Sequence, residues 1–190
     1  MLREASGLWG MVPNVLRTMA CSAPAFRAWI GMASALEEGA LPPGLRAQIA
    51  LLVAEIHQSE YCLRAHGALG RAAGLTEEEI QDSRRGISTD RRTEGALVFV
   101  RALVEGSGKV RSRDLARVRS AGYADSEIVE MIAHVAANVF TNYLNMVAET
   151  EADFPPLPGL PESRDQSGSQ HGSRAAVPKT RTPNQNMEIK

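Results

Sequence analysis

From Ile128 to Val147 the residues Ile128, Met131, Ile132, Val135, Val139, Phe140, Tyr143, Leu144 and Val147 recur at three- and four-residue steps. That is the period of an α-helix sustained for about five turns, and no β-strand can accommodate it. The opposite face carries Glu127, Glu130, His134, Asn138, Asn142 and Asn145. Such a helix can serve a core and a subunit interface together. The simpler expectation is a core helix whose amide-rich side is wet.

The same period fills the chain upstream, and two-residue alternation is nearly absent. Ser22-Ala23-Pro24 predicts an N-cap with proline in the first turn, opening a helix to about Glu38. Pro42-Pro43 starts the next, through Leu45, Ile49, Leu52, Val53 and Ile56. A third carries Cys62 and His66 and stops at Gly74, and Thr76 with Glu79 forms a capping-box pattern for a fourth. Another runs from about Asp90 to Glu105, and Ser112 is expected to cap a short one. Ala73-Gly74-Leu75-Thr76-Glu77-Glu78-Glu79-Ile80 returns as Ala121-Gly122-Tyr123-Ala124-Asp125-Ser126-Glu127-Ile128. Each copy reads as a helix stop at glycine followed by a helix start. Either a helical hairpin was duplicated, or tight helix–helix turns converge on this pattern.

After Phe154 the composition changes. Six of the ten prolines fall there, among Ser, Gly, Gln and Asn with little apolar periodicity. Such a segment cannot bury enough surface to offset its ordering entropy. The expectation is a folded all-α domain over 1–154 and a disordered tail over 155–190, whose alternative use is docking or localisation.

Charge and composition exclude several functions. Lys+Arg is 21 against Asp+Glu 22, and aromatics are 5%, so neither a nucleic-acid nor an anionic membrane partner is expected. No apolar run is long enough for a spanning helix. The first ten residues do not read as a signal peptide. Two cysteines without an export signal suggest a reducing cytoplasm.

Chemistry concentrates in Glu55-Ile56-His57-Gln58-Ser59-Glu60-Tyr61-Cys62-Leu63-Arg64-Ala65-His66. Cys62 and His66 are four apart and share a helix face. Ser59 fits the N-cap, which places Cys62 in the first turn, where backbone N–H groups favour a thiolate. Two readings stand: an activated thiol with its base, or a small buried hydrophobe beside an ordinary core histidine. No second Cys/His pair has zinc-ligand spacing, so no metal and no cofactor are expected.

These residues carry a resemblance. The stretch from Leu41 to Gly86 is similar to the AhpD-like alkylhydroperoxidase branch of the carboxymuconolactone decarboxylase family, through Leu45-Arg46, Ser59 to His66 and Ala72-Ala73-Gly74-Leu75. The similarity continues through Arg84-Arg85-Gly86, Phe99 to Val104 and Phe140 to Asn145, and Val12-Pro13-Asn14-Val15 fits upstream. The resemblance implies an all-α AhpD-like bundle that assembles as a dimer, trimer or hexamer. It also implies a peroxiredoxin-type antioxidant activity on hydroperoxides, recycled by a thiol reductant.

The family's redox motif is Cys-x-x-Cys-x-x-x-His, in which the second cysteine attacks peroxide and the first resolves it. By resemblance Cys62 is the attacking thiol and His66 the base. The first cysteine is Ser59 here, and the family's upstream glutamate is Ala47. Serine can donate a hydrogen bond but cannot close a disulfide. A sulfenic acid on Cys62 would need an external thiol or Cys21. Glu55 is the candidate to replace the missing acid, its alternative being a solvated surface carboxylate. Three functions follow: a one-cysteine peroxidase with Cys62 depressed in pKa, a non-redox enzyme of the lactone decarboxylase kind, or a disarmed oligomeric scaffold.

Overall fold

The stretch from Leu45 to Ala54, apolar except for Arg46 and Gln48, settles the architecture, because a helix that is apolar nearly all round has to sit inside. The computed structural model describes residues 11–159, and these are helical with no strand among them. In chain order the helices are α1 (Asn14–Met19), α2 (Ala23–Glu37), α3 (Pro43–Ile56), α4 (Glu60–Ala72), α5 (Glu77–Arg85), α6 (Arg91–Glu105), α7 (Ser112–Ser120) and α8 (Asp125–Val147). Nine residues of α3 are buried, and α4, α5, α6 and α8 all pack on it. Ala47, Ala50 and Ala54 keep its surface low enough for neighbours to approach.

One face of α3 joins Leu97, Phe99 and Val100 of α6 and Ile128, Met131 and Val135 of α8 in the main core. Another joins Tyr61, Cys62 and Leu63 of α4, with Ile80 and Leu157, in a second core. Leu16, Met19 and Phe26 of α1 and α2 form a third, against Leu144 of α8.

The expected helix boundaries agree to within a residue or two. Ser22 caps α2 by accepting from the Ala25 N–H at 3.4 Å. Thr76 and Glu79 form the full capping box of α5. Ser112 does not cap α7; Arg111 occupies the N-cap, and the Asp114 carboxylate accepts from its N–H. The short α1 had no periodic signal, being six residues long.

The two copies of the eight-residue pattern adopt one conformation. Gly74 and Gly122 take φ of 89° and 94°, a region costly for any side chain. The N–H of Leu75 reaches back to Gly70 O, and that of Tyr123 to Val118 O, which is the Schellman closure of a helix.

The polypeptide does not leave the domain at residue 154. Leu157 is buried against Gly67, where a Cβ would meet it at 2.6 Å, and Pro158 O accepts from Arg84 and Gln81. Order therefore extends through 155–159, past the expected boundary. The remainder of the expected tail, 160–190, and the N-terminal stretch 1–10 lie outside the described residues. No helix among the described residues is long and apolar enough to cross a membrane.

Candidate active site

Ser59 ends the α3–α4 turn in extended conformation and is the N-cap of α4. Cys62 is thus the third residue of the helix, as its spacing predicted. Immediately before Ser59, Gln58 takes φ 56°, an unusual conformation for a residue with a side chain, and this sharp reversal brings the start of α4 back against α8. There Asn145 donates its amide to the Cys62 sulfur at 3.2 Å, with both groups buried.

Cys62 and His66 line one cavity of about 470 Å³ among α2, α3, α4 and α8. Its walls are mainly apolar, with Phe26, Trp29 and Ile30 of α2 and Ala47 and Ala50 of α3. Its polar groups come largely from one stripe of α8: His134, Asn138, Thr141 and Asn145. Asn138 donates to His134 O at 2.8 Å and Thr141 to Asn138 O at 3.0 Å, so these side chains hold each other along the helix.

Burial pushes the Cys62 thiol above its ordinary pKa, opposed by contacts with Ser59, Asn145 and Thr141. This corrects the expectation of a thiol depressed by the helix terminus: desolvation of a thiolate in an apolar wall outweighs it. Burial also takes His66 down to about 4, opposed by Asn138. The resting pair is a neutral thiol and a neutral imidazole. No hydrogen bond links them; each leans on its own α8 partner.

The Ser59 hydroxyl is buried and does not bond the helix N-terminus, and its interaction with Cys62 is a loose one that falls short of good hydrogen-bond geometry. Glu55 is brought elsewhere. Its carboxylate accepts from Arg84 Nε at 2.6 Å, and it does not line the cavity. Ala47, two helical turns earlier, does line it. Cys21 is exposed in the turn between α1 and α2 and is not part of the cavity wall, whereas Cys62 is buried. Among the described residues no cluster of His, Cys, Asp or Glu could hold a metal ion.

Sequence reasoning missed the contribution of α8. Asn138 and Asn145 were visible as an amide-rich face, but that face was expected to be wet. Arg46 gave no signal beyond its place in the motif, yet it also lines the cavity.

The family model described as carboxymuconolactone decarboxylase family matches residues 23–105, which hold α2 through α6 with Cys62 and His66. That stretch, somewhat less than half of the chain, is similar to the family. Among solved structures, the AhpD core of a peroxidase-related protein from Ralstonia eutropha JMP134 superposes with a TM-score of 0.73 at 24% identity, covering 80% of this chain and 83% of the other. A peroxidase-related protein from Silicibacter sp. TM1040 gives a TM-score of 0.66 at 25% identity, covering 82% of each chain. The debrominase Bmp8 in complex with 2,3,4-tribromopyrrole shares the fold, with a TM-score of 0.70 at 17% identity over 80% of this chain and 83% of that one. No curated protein matches the chain significantly by sequence. The chain therefore has the AhpD-like fold.

Proposed function

We propose that the protein is a thiol-dependent peroxidase that reduces small organic hydroperoxides, with Cys62 as the attacking sulfur. The observation that carries this reading is a single buried thiol in the first turn of α4, bonded by Asn145, which shares an apolar cavity with His66. The peroxidase-related relatives support it.

The neutral His66 accepts the thiol proton once substrate has displaced water. The sulfur attacks the peroxide oxygen, the O–O bond breaks, and the departing alkoxide takes a proton from His66 to leave as an alcohol. Cys62 is left as a sulfenic acid. Because Ser59 cannot form a disulfide, an external thiol attacks this sulfenic acid, releasing water and forming a mixed disulfide. A second thiol then frees Cys62. One hydroperoxide and two thiols become one alcohol, one disulfide and one water. Asn145, Thr141 and Ser59 help to carry the developing negative charge on sulfur. Glu55 is occupied by Arg84 and has no part.

Thiol-dependent turnover of cumene hydroperoxide tests this directly. Cys62→Ser is expected to abolish it and Cys21→Ser to retain it; full turnover in Cys62→Ser would end the proposal. With the thiol pKa raised, the rate should climb with pH beyond the ordinary thiol range of about 8.5.

One observation favours a second reading, a disarmed site. Ala47 lines the cavity where the resemblance places a glutamate. If the wild type shows no turnover and Ser59→Cys with Ala47→Glu gains it, the site is intact but disabled.

Self-association belongs to the same proposal. Val129, Ile132, Phe140, Tyr143 and Val147 form an exposed stripe along α8, with Val147 72% exposed. An apolar face of this length suits a second copy of the chain.

A further inference from the structure

Arg46 is the cation that lines the cavity. It donates Nη1 to Leu36 O at 3.0 Å and forms no ion pair with the described residues. Lining the same cavity from α8 is His134, 8% exposed, whose Nε2 is buried without a hydrogen bond; the Glu130 carboxylate is 3.8 Å away, beyond bonding distance. That carboxylate is already committed to the N–H groups of Ala40 and Leu41, both at 2.9 Å. Glu37 also lines this end of the cavity, but it is exposed. Burial lowers the His134 pKa, Glu130 raises it and Arg46 lowers it again, which places the guanidinium within electrostatic reach of the ring.

The α8 stripe works as a ruler. Asn145 marks the level of Cys62 and Asn138 that of His66, and His134, about one turn further along, lines the same cavity as Arg46. At about 1.5 Å per residue, Asn145 and His134 lie about 16 Å apart along the axis. At the sulfur end Asn145 Oδ1 is buried and unpartnered, as His134 Nε2 is at the other. Opposite the polar α8 stripe the walls between these two points are mainly apolar, with Trp29 Nε1 a further buried donor without a partner.

We propose that the substrate is an elongated apolar acid: its carboxylate docks on Arg46 and the His134 imidazole, and its reactive group lies against Cys62. A buried carboxylate is tolerated only where it is paired and hydrogen-bonded, and this is the end of the cavity that offers both. Allowing for the reach of the arginine side chain, the span fits an acyl chain of about ten carbons, since an extended chain advances a little over 1 Å per bond. What happens at the Cys62 end rests on the peroxidase reading above; the anion anchor does not.

Calorimetric titration of the full chain with decanoate, decanol and decylamine tests the anchor without any redox step. Decanoate is expected to bind at least about tenfold tighter than decanol, with decylamine weakest. Arg46→Met should bring decanoate to the level of decanol, and Arg46→Lys should keep part of the preference. Equal affinities for decanoate and decanol in the wild type overturn the proposal, as does an Arg46→Met protein that binds decanoate unchanged. Should Arg46→Met fail to fold, the wild-type series still decides. The two proposals fail separately. Oxidation of Cys62 by neutral cumene hydroperoxide without any preference for decanoate removes only the anchor. A decanoate preference in a protein whose Cys62 resists hydroperoxides removes only the peroxidase.

Discussion

The inward face of α8 changes character along the helix, from apolar in its first half to polar in its second. In the first half the apolar residues Ile128, Met131 and Val135 turn inward, and Met131 is fully buried in the main core. In the second half Phe140, Tyr143 and Val147 face outward, while Thr141, Asn142 and Asn145 are buried. The outward face is apolar throughout, since Val129 and Ile132 are exposed in the first half as well; the inward residues change with what they meet. Over the first half α8 packs on the apolar faces of α3 and α6. Over the second it covers the start of α4, where a thiol, a serine hydroxyl and the end of α3 need polar partners. Asn142, with no exposure, donates to the Nδ1 of His57 at 3.1 Å, and Asn145 to Cys62. A helix can thus build an apolar core at one end and supply the polar wall of a cavity toward the other.

This contrast can be broken most strongly in the first half. Met131→Ala removes a fully buried side chain and should cost about 2–5 kcal/mol in chemical denaturation. A cost below about 1 kcal/mol would mean that the first half is not the tighter one.

The polar half should show itself in acid. His66 is held at about 4, below its ordinary 6.5, and His57 and His134 are also lowered by burial. The unfolded chain therefore binds protons that the folded chain refuses. Their stabilisation is complete above about pH 6.5 and is lost as pH falls from there toward 4. At ~1.4 kcal/mol per unit, His66 contributes up to about 3 kcal/mol to that slope. Denaturation midpoints between pH 4 and 7 should fall accordingly, and the slope should shrink in His66→Leu.

A smaller effect is expected at Asn145. Asn145→Ala removes a donor to the sulfur, so the Cys62 thiol should rise further in pKa and react about tenfold more slowly at neutral pH. Iodoacetamide rates against pH measure both quantities.

The outward face should be nearly silent for folding. Val147→Ser is expected to change monomer stability by less than about 0.5 kcal/mol, yet to weaken self-association in sedimentation. A large loss of monomer stability would put Val147 inside the fold instead.

What was legible in the sequence follows the same division. Helix period and caps are local, so α2 through α6 and α8 could be placed from Ser22, Pro42-Pro43, Thr76 and the Ile128–Val147 stripe. The Cys62–His66 pair was legible because four residues on one helix share a face. Which face of α8 turns inward was not, because periodicity fixes what lies together and not what lies against it. Glu55 illustrates the same limit. It sits on the right helix, but its direction is set by Arg84, 29 residues away. The raised Cys62 pKa was hidden for a related reason, since helix position is local and burial is not. Leu157 was read as part of a proline-rich tail, although one leucine against Gly67 suffices to hold that stretch to the domain.

The most direct test is mass spectrometry of the two thiols after substoichiometric cumene hydroperoxide, with dimedone present to trap sulfenic acid. Label on Cys62, with Cys21 unmodified and no bond between them, is the expected outcome. Label confined to the exposed Cys21, with Cys62 still a free thiol, would refute the assignment of Cys62 as the reacting sulfur.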